Sequence, residues 1–575
     1  MPRVTLDELA RLPGASVGVL GATQGRYRRA QALLDMSAGA RTSFAAYDPD
    51  EPPRLRVVPG RILGWEAVVR RADAAPAEIV PGLLASTVRT TYSGPLRGEA
   101  IVAADRRGRF TIGRDGRLVV TLVPDVAAAG RLVARRDRDT LVLVIGSPPA
   151  NARRAQLLPA AVIGLGGGRA ITSRTTRTDG LATGTDVPAT VLDWLRVPIP
   201  DEMQGEPLEL DGPLDIAALR DLDARLRVVP SRRLPTLGTL GVLWLALLLA
   251  AAVRKRGQSP ISRVVRIGGL AVLWVLPVML AFAAFQPSRW VEQLGVAVCA
   301  LGLAALTDAL VAWPRAPLVP AGIGVVAYVV DLAFGSPLIV RSLFGPNPLF
   351  GARFYGVGNE LESTLPVLML VAVAAALGPG GRSRGAALAF AAGGAVLAIA
   401  LGAGRLGADV GGVITVGAGA AVAVALAAPG RITRARVAAV LLAPVVALIA
   451  LAALDLITGG DAHFTRTVLR ADDRDALGDV IARRYELAFN VLKKPAMLVL
   501  TPLALGAIVW AIRRRAVLFQ GIPGAERWEA ALAGAAAAGL AGALFNDSGP
   551  LLLVFSTVVA AWVVAYLRAG VGVRP

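Results

Sequence analysis

The sequence predicts an α/β N-terminal domain over 1–233, followed over 234–575 by an all-α polytopic membrane domain of about eleven helices. Three observations carry this. The 575 residues are 54% hydrophobic with a mean hydropathy of +0.57, too apolar for an ordinary soluble protein and too long for one domain. The apolar residues are unevenly spread: before Leu234 the runs are short and broken by charge and proline. From Leu234 onward, runs of about 18–22 apolar residues recur, each long enough to cross about 30 Å of hydrocarbon.

In the N-terminal part, "RLVVTLVPD" and "TLVLVIGSPP" read as buried strands, short, β-branched and bounded by turn residues. "LLPAAVIGLGGGRAI" reads as a strand ending in a glycine turn. It is not a dinucleotide fingerprint, because Arg169 takes the third glycine position and "TSRTTRTDG" follows where a helix is needed. "TDVPATVLDWLRVPIP" reads as a helix capped by Thr185 or Asp186, with Pro188 in its first turn and Val191, Leu192 and Leu195 on one face. Strands alternating with helices predict an α/β domain with a mostly parallel central sheet.

The spans fall near 237–253, 267–285, 291–313, 318–335, 360–377, 385–402, 409–428, 436–457, 495–512, 528–545 and 550–567. Trp290, Trp313, Trp510 and Trp528 stand near run ends, as interfacial aromatics do. The loop "VRKRGQSPISRVVR" carries five Lys/Arg, and alternate loops after it share this bias. By the positive-inside rule that side, with the C-terminus, is cytoplasmic. The long loop 459–494 stands on the other side with seven Lys/Arg and six Asp/Glu; it reads as an outer amphipathic segment. The N-terminal domain then lies outside the cytoplasm, yet "MPRVTLDELARLPG" has no apolar signal region, so an anchor or signal upstream of the given start is expected.

Composition excludes several chemistries. The single cysteine, Cys299, lies inside an apolar run, so neither an internal disulfide nor a cysteine metal site is expected. The single histidine, His463, excludes a site with two imidazoles. The net charge of +19 reflects basic loops; no basic stripe with interleaved aromatics points to nucleic acid.

The stretch "LLPAAVIGLGGG…TSRTTRTDGLATGTDVPATVLDWLRVPIPDEMQGEPL" resembles the C-terminal part of the alkaline phosphatase and sulfatase superfamily, through Gly180, Leu181, Asp186, Pro188, Thr190, Leu192, Pro200, Gly205 and Leu208. Upstream, "VGVLGATQGRYRRAQALLDMSAGART" is similar to the corresponding region of membrane-linked members. The resemblance implies two metal ions held by Asp and His, but Ser147 and Pro148 stand where an Asp-His pair belongs. The domain therefore reads as a degenerate, non-hydrolytic relative with no metal and no other cofactor, and Ser147 and Ser37 as structural loop residues rather than nucleophiles. "RFYGVGNE", "GADVGG" and "FNDSG" resemble the uncharacterised polytopic half of bacterial proteins that carry such a domain.

Charged and amide residues recur at the outer ends of the spans: Arg353, Tyr355, Asn359, Glu360, Glu362, Arg405, Asp409, His463, Arg466, Asn546, Asp547 and Ser548. Each alone can be a helix cap or a first-turn acid, Asn359 as an N-cap above all. Together, beside glycines, they predict a shared polar cleft in which Arg353 and Arg405 neutralise the carboxylates. Its partners are the lipid bilayer and an anionic lipid or envelope glycan precursor that the cleft transports or recognises. A membrane-embedded phospho- or glycosyl-transferase using Glu360 or Asp409 as base, and a non-catalytic envelope scaffold, stay open beside this reading.

Overall fold

A computed structural model describes residues 4–21, 29–42, 53–75, 78–148, 157–253, 259–350, 353–404, 406–407, 409–457, 488–546 and 548–571. The chain forms two compact units, Met1–Val228 with Asn347–Tyr355, and Val229–Pro346 with Gly356–Pro575.

The first unit is built on a six-stranded sheet. Its strands run Leu208–Pro213, Arg169–Ser173, Ala15–Gly21, Leu158–Ile163 and Val142–Ile145, and Leu181–Thr183 also pairs with Ala15–Gly21. The predicted mostly parallel order is corrected. Pairing is parallel only where Ala15–Gly21 meets Arg169–Ser173 and Leu181–Thr183; the other pairings are antiparallel. The physical reason is that Ala15–Gly21 is buried along its whole length. Burial on both faces gives a continuous apolar run whatever the neighbour's direction, so the run does not reveal polarity. "RLVVTLVPD" forms Leu118–Thr121, in a separate three-stranded sheet rather than the central one. Ser37, expected in a loop, is buried inside the helix Arg29–Ala38.

The stretch that carries the superfamily resemblance is a polar knot at one end of the sheet. Asp186 is fully buried at the start of the helix Asp186–Trp194. Its Oδ2 accepts from Ser173 Oγ (2.7 Å) and Thr183 N (2.9 Å), and its Oδ1 from Thr175 Oγ1 (2.6 Å) and Glu206 N (3.1 Å). One turn on, Thr190 Oγ1 accepts from Leu208 N at 2.9 Å, which ties the helix to the edge strand. Gly205 passes so close that a Cβ there would lie 2.0 Å from Thr185 O. Asp186, Thr190 and Gly205 thus each have a structural task here.

Asn347–Tyr355 belongs to this unit although it lies between membrane helices in sequence. Asn347 Nδ2 donates to Leu226 O at 2.8 Å, and the Arg177 guanidinium lies 4.7 Å over the Tyr355 ring.

The second unit holds all eleven expected helices. Ten are long and apolar enough to cross a membrane, which makes this an integral membrane protein in contact with lipid. The eleventh, Leu318–Ala333, is shorter at 16 residues. Ser259–Phe285, Asn359–Leu377, Ala525–Phe545 and Gly549–Gly570 form much of the interior, whereas the apolar windows of Ile216–Val253 and Arg434–Ile457 are 11% and 0% buried. Ala and Gly let these helices touch: a Cβ on Gly534 would lie 2.6 Å from Gly419 O. Trp528 is a correction. It is buried in the core of the unit rather than placed as an interfacial anchor, because it lies on the inward face of a first turn whose Glu526 is exposed. Of the segment 459–494, residues 459–487 lie outside the described residues.

Burial pushes the Asp186 carboxyl up to about 6 against the pull of its four donors. Its folded pKa thus lies above the unfolded value, so this group's contribution to stability is full below about pH 4 and falls as pH rises through 6. In Asp186→Asn the amide nitrogen faces a backbone N–H whichever way it turns. We expect a loss of about 2–3 kcal/mol. The wild type's margin over the variant should widen by about 1 kcal/mol between pH 7.5 and pH 5, read as thermal unfolding of the full chain in detergent.

Candidate functional site

Glu360 and Glu362 stand in the first turn of Asn359–Leu377, where the helix dipole favours negative charge. They are two residues apart, about 200° around the helix, and so face nearly opposite ways. Their surroundings differ accordingly.

Glu360 is ion-paired with Arg233 through Oε1. Arg233 also donates from Nε to Leu343 O (2.5 Å) and from Nη2 to Gly345 O (2.8 Å), so the guanidinium fork is spread over one carboxylate and two carbonyls. Beside it, Arg232 Nη1 donates to Glu292 Oε2 at 2.9 Å and to Pro287 O at 2.9 Å. Glu292 is fully buried in the first turn of Arg289–Leu310. Two successive arginines thus hold the acidic starts of two helices.

Glu362 is also fully buried, and its Oε2 accepts from Asn546 Nδ2 at 2.8 Å. Asn546 Oδ1 accepts from Ser548 N at 2.8 Å, and Ser548 Oγ accepts from Asn359 Nδ2 at 2.6 Å. Gly411 closes the group from a third stretch: a Cβ there would lie 2.9 Å from both Glu362 Oε1 and Asn546 Nδ2. Asp409, two residues earlier, is buried at the N-cap of Val410–Ala427, but its side chain makes no capping bond. Gly356 brings in the preceding loop, since its own Cβ would strike Gly407 O at 2.3 Å.

Asn359 and Glu362, Gly411, and Asn546 with Ser548 therefore come together from three stretches of the chain. The simple capping reading of Asn359 is corrected, for Gly358 is the N-cap and the Asn359 amide reaches across to Ser548. Arg353 and Tyr355 belong to the first unit, where Tyr355 lies under Arg177. Arg405, His463, Arg466 and Asp547 lie outside the described residues. The partner of Glu360 is Arg233, which the sequence reading did not single out. The available signal was the pair Arg232–Arg233 directly before the first apolar run, at the same end of the helices as Glu292 and Glu360.

In the first unit Ser147 Oγ donates to Glu99 Oε1 at 2.5 Å and accepts from Arg29 Nη2 at 2.8 Å. Arg29 also pairs with Glu99. The Glu99 carboxyl sits below the usual range: burial raises it, and the Ser147 and Arg29 hydrogen bonds outweigh that. Among the described residues, no three His, Cys, Asp or Glu side chains stand close enough to hold a metal ion.

Asn546→Asp places a second carboxylate against Glu362 and should lower the full chain's stability by about 2–4 kcal/mol. Glu362→Gln combined with Asn546→Asp reverses donor and acceptor across the same 2.8 Å contact and should restore most of the loss. Thermal unfolding of the variants in detergent checks both.

No protein-family model, curated protein or solved structure matches the chain, so the functional reading stands on the geometry and chemistry of these residues.

Proposed function

We propose that the protein handles an anionic lipid-linked or cell-envelope precursor, binding its head at the ends of the membrane helices and moving or presenting it. The carrying observation is the polar start of Asn359–Leu377, where half-buried Asn359 bonds Ser548, half-buried Glu360 pairs with Arg233 and fully buried Glu362 bonds Asn546. Amides, a hydroxyl and carboxylates match the hydroxyls of a sugar, and arginine forks match phosphate. Glycine-lined helix starts let a ligand approach the backbone, as at the discontinuous helices of transporters.

Binding fits this group better than transferase chemistry. Of the two bases proposed for a transferase, Glu360 has an oxygen occupied by the Arg233 guanidinium and Asp409 is buried at a helix start, so neither is well placed to take a substrate proton. The first unit, read as a degenerate phosphatase-like domain outside the cytoplasm, would recognise the head group or a protein partner. The Glu99–Ser147–Arg29 contacts support a structural role for Ser147.

Native mass spectrometry of the full chain, released gently from membranes, should show a retained anionic lipid-linked species. Asn359→Ala together with Ser548→Ala should reduce that species at least fivefold without changing the thermal transition by more than about 1 kcal/mol. Retention of bulk phospholipid only, in the same proportion as the membrane, would overturn the reading. Sidedness has its own check. With Cys299→Ala as background, a cysteine at the exposed Leu96 should react with an impermeant maleimide in intact cells. Reaction only after lysis would invert the orientation.

A further inference from the structure

A cavity of about 260 Å³ lies in the second unit between the helices Ile216–Val253, Ser259–Phe285 and Gly549–Gly570. We infer that it is the binding groove for a single hydrocarbon chain of a membrane lipid. Its lining is apolar except for the Thr364 hydroxyl, which already donates to Glu360 O at 2.8 Å, and the Trp244 and Trp562 indole N–H groups, of which Trp244 donates to Val264 O. A ligand segment lying there therefore meets mostly carbon.

The ends of the groove are marked by aromatic pairs. Trp244 and Trp562 pack edge-to-face at 4.7 Å at one end, and Phe344 and Phe555 at 5.8 Å at the other. Trp244 is held in place from two sides: its Nε1 donates to Val264 O at 3.2 Å, and a Cβ on Gly268 would strike its indole at 2.1 Å. From Leu237 to Trp244 the groove follows about 10 Å of helix. A volume of about 260 Å³ along that length suits a run of methylenes and is too small for a helix about 10–12 Å across.

The occupant follows from what the groove opens onto. Val242, Leu245 and Val558 around it are 66%, 48% and 46% exposed, on helices of membrane-crossing length. This outward surface is the surface that contacts the bilayer, so the groove is continuous with the hydrocarbon and the chemistry at its mouth is an acyl or prenyl chain. Its polar end is equally defined. Arg233 precedes Leu237 by four residues and Glu360 precedes Thr364 by four, so the ion pair stands one helical turn beyond the groove on the same faces. A tail in the groove directs its head toward Arg233, Glu360 and Asn359. The head-group part of this picture rests on the proposed function; the tail part does not.

The test uses the full chain in bilayers containing a phospholipid with a photoreactive diazirine midway along one acyl chain, the labels being mapped by mass spectrometry. Labelling of Leu240–Trp244 and Phe555–Trp562 should exceed, at least fivefold per residue, that of Arg434–Ile457, the most lipid-exposed of the apolar helices. Gly241 lines the groove and a Cβ there meets nothing within 4 Å, so Gly241→Leu fills it without a clash and should cut the excess at least fivefold. Gly302 is equally open on Arg289–Leu310 and does not line the groove, so Gly302→Leu should leave the excess unchanged. Should Gly241→Leu fail to fold, Val558→Phe at the rim should produce the same loss. Labelling equal to that of Arg434–Ile457, or an excess that survives both substitutions, overturns the inference. Groove labelling with no anionic precursor retained in native mass spectrometry would leave the tail site standing and remove the head-group reading alone.

Discussion

A carboxylate cannot enter an apolar helical unit without a partner, and this constraint organises the polar ends of the membrane helices. Glu292 takes Arg232, Glu360 takes Arg233, and Asp308 takes the fork of Arg266 at 2.7 and 3.0 Å. Asp331 is satisfied by backbone, accepting from Leu338 N at 3.1 Å and Ile339 N at 2.8 Å. Removing one member of such a pair leaves a buried charge and costs about 3–5 kcal/mol, whereas an apolar pair of similar size can be as stable. The pairs therefore explain which helices meet and in what register better than they explain stability. Arg232 and Arg233 fix the first apolar helix against two others at once, because adjacent residues on a helix point about 100° apart.

The membrane helices were legible because their signal is long. A run of about 20 apolar residues permits one structure, since in lipid each backbone group must bond within its own segment. All eleven expected spans are helices, Leu318–Ala333 among them despite its length. The sheet was legible only as strands. "TLVLVIGSPP" and "LLPAAVIG" are apolar whether their neighbours run with them or against them, and the pattern does not encode the antiparallel pairing of Val142–Ile145 with Leu158–Ile163. Trp528 misled for a related reason: a tryptophan near a run end can face lipid or core, and only packing decides.

The polar site was half legible. Type and depth single out Asn359, Glu362, Asp409, Asn546 and Ser548, because such residues are rare at membrane helix ends without purpose. Partnership was not legible. Glu360 is held by Arg233, 127 residues away in the chain, a partner that sequence proximity does not suggest. Similarly, the Asp186 stretch suggested a site, yet its residues tie and pack one end of the sheet, and Ser147 is engaged by Glu99 and Arg29.

The spacing of "NELE" separates two tasks on one helix turn. Glu362 faces inward, fully buried against Asn546 and Gly411, and joins Asn359–Leu377 to the helices that follow it in sequence. Glu360 faces Arg233 and the helix that precedes it, on the face where Thr364 lines the apolar groove one turn away. A buried carboxylate bonded to an amide serves position, because moving it would expose both partners to hydrocarbon. A half-buried ion pair at the mouth of a groove can exchange partners at less cost, since water reaches it. On the proposed function the ligand head meets Asn359 and Glu360, and the buried Glu362 is the architecture that keeps this helix start in place.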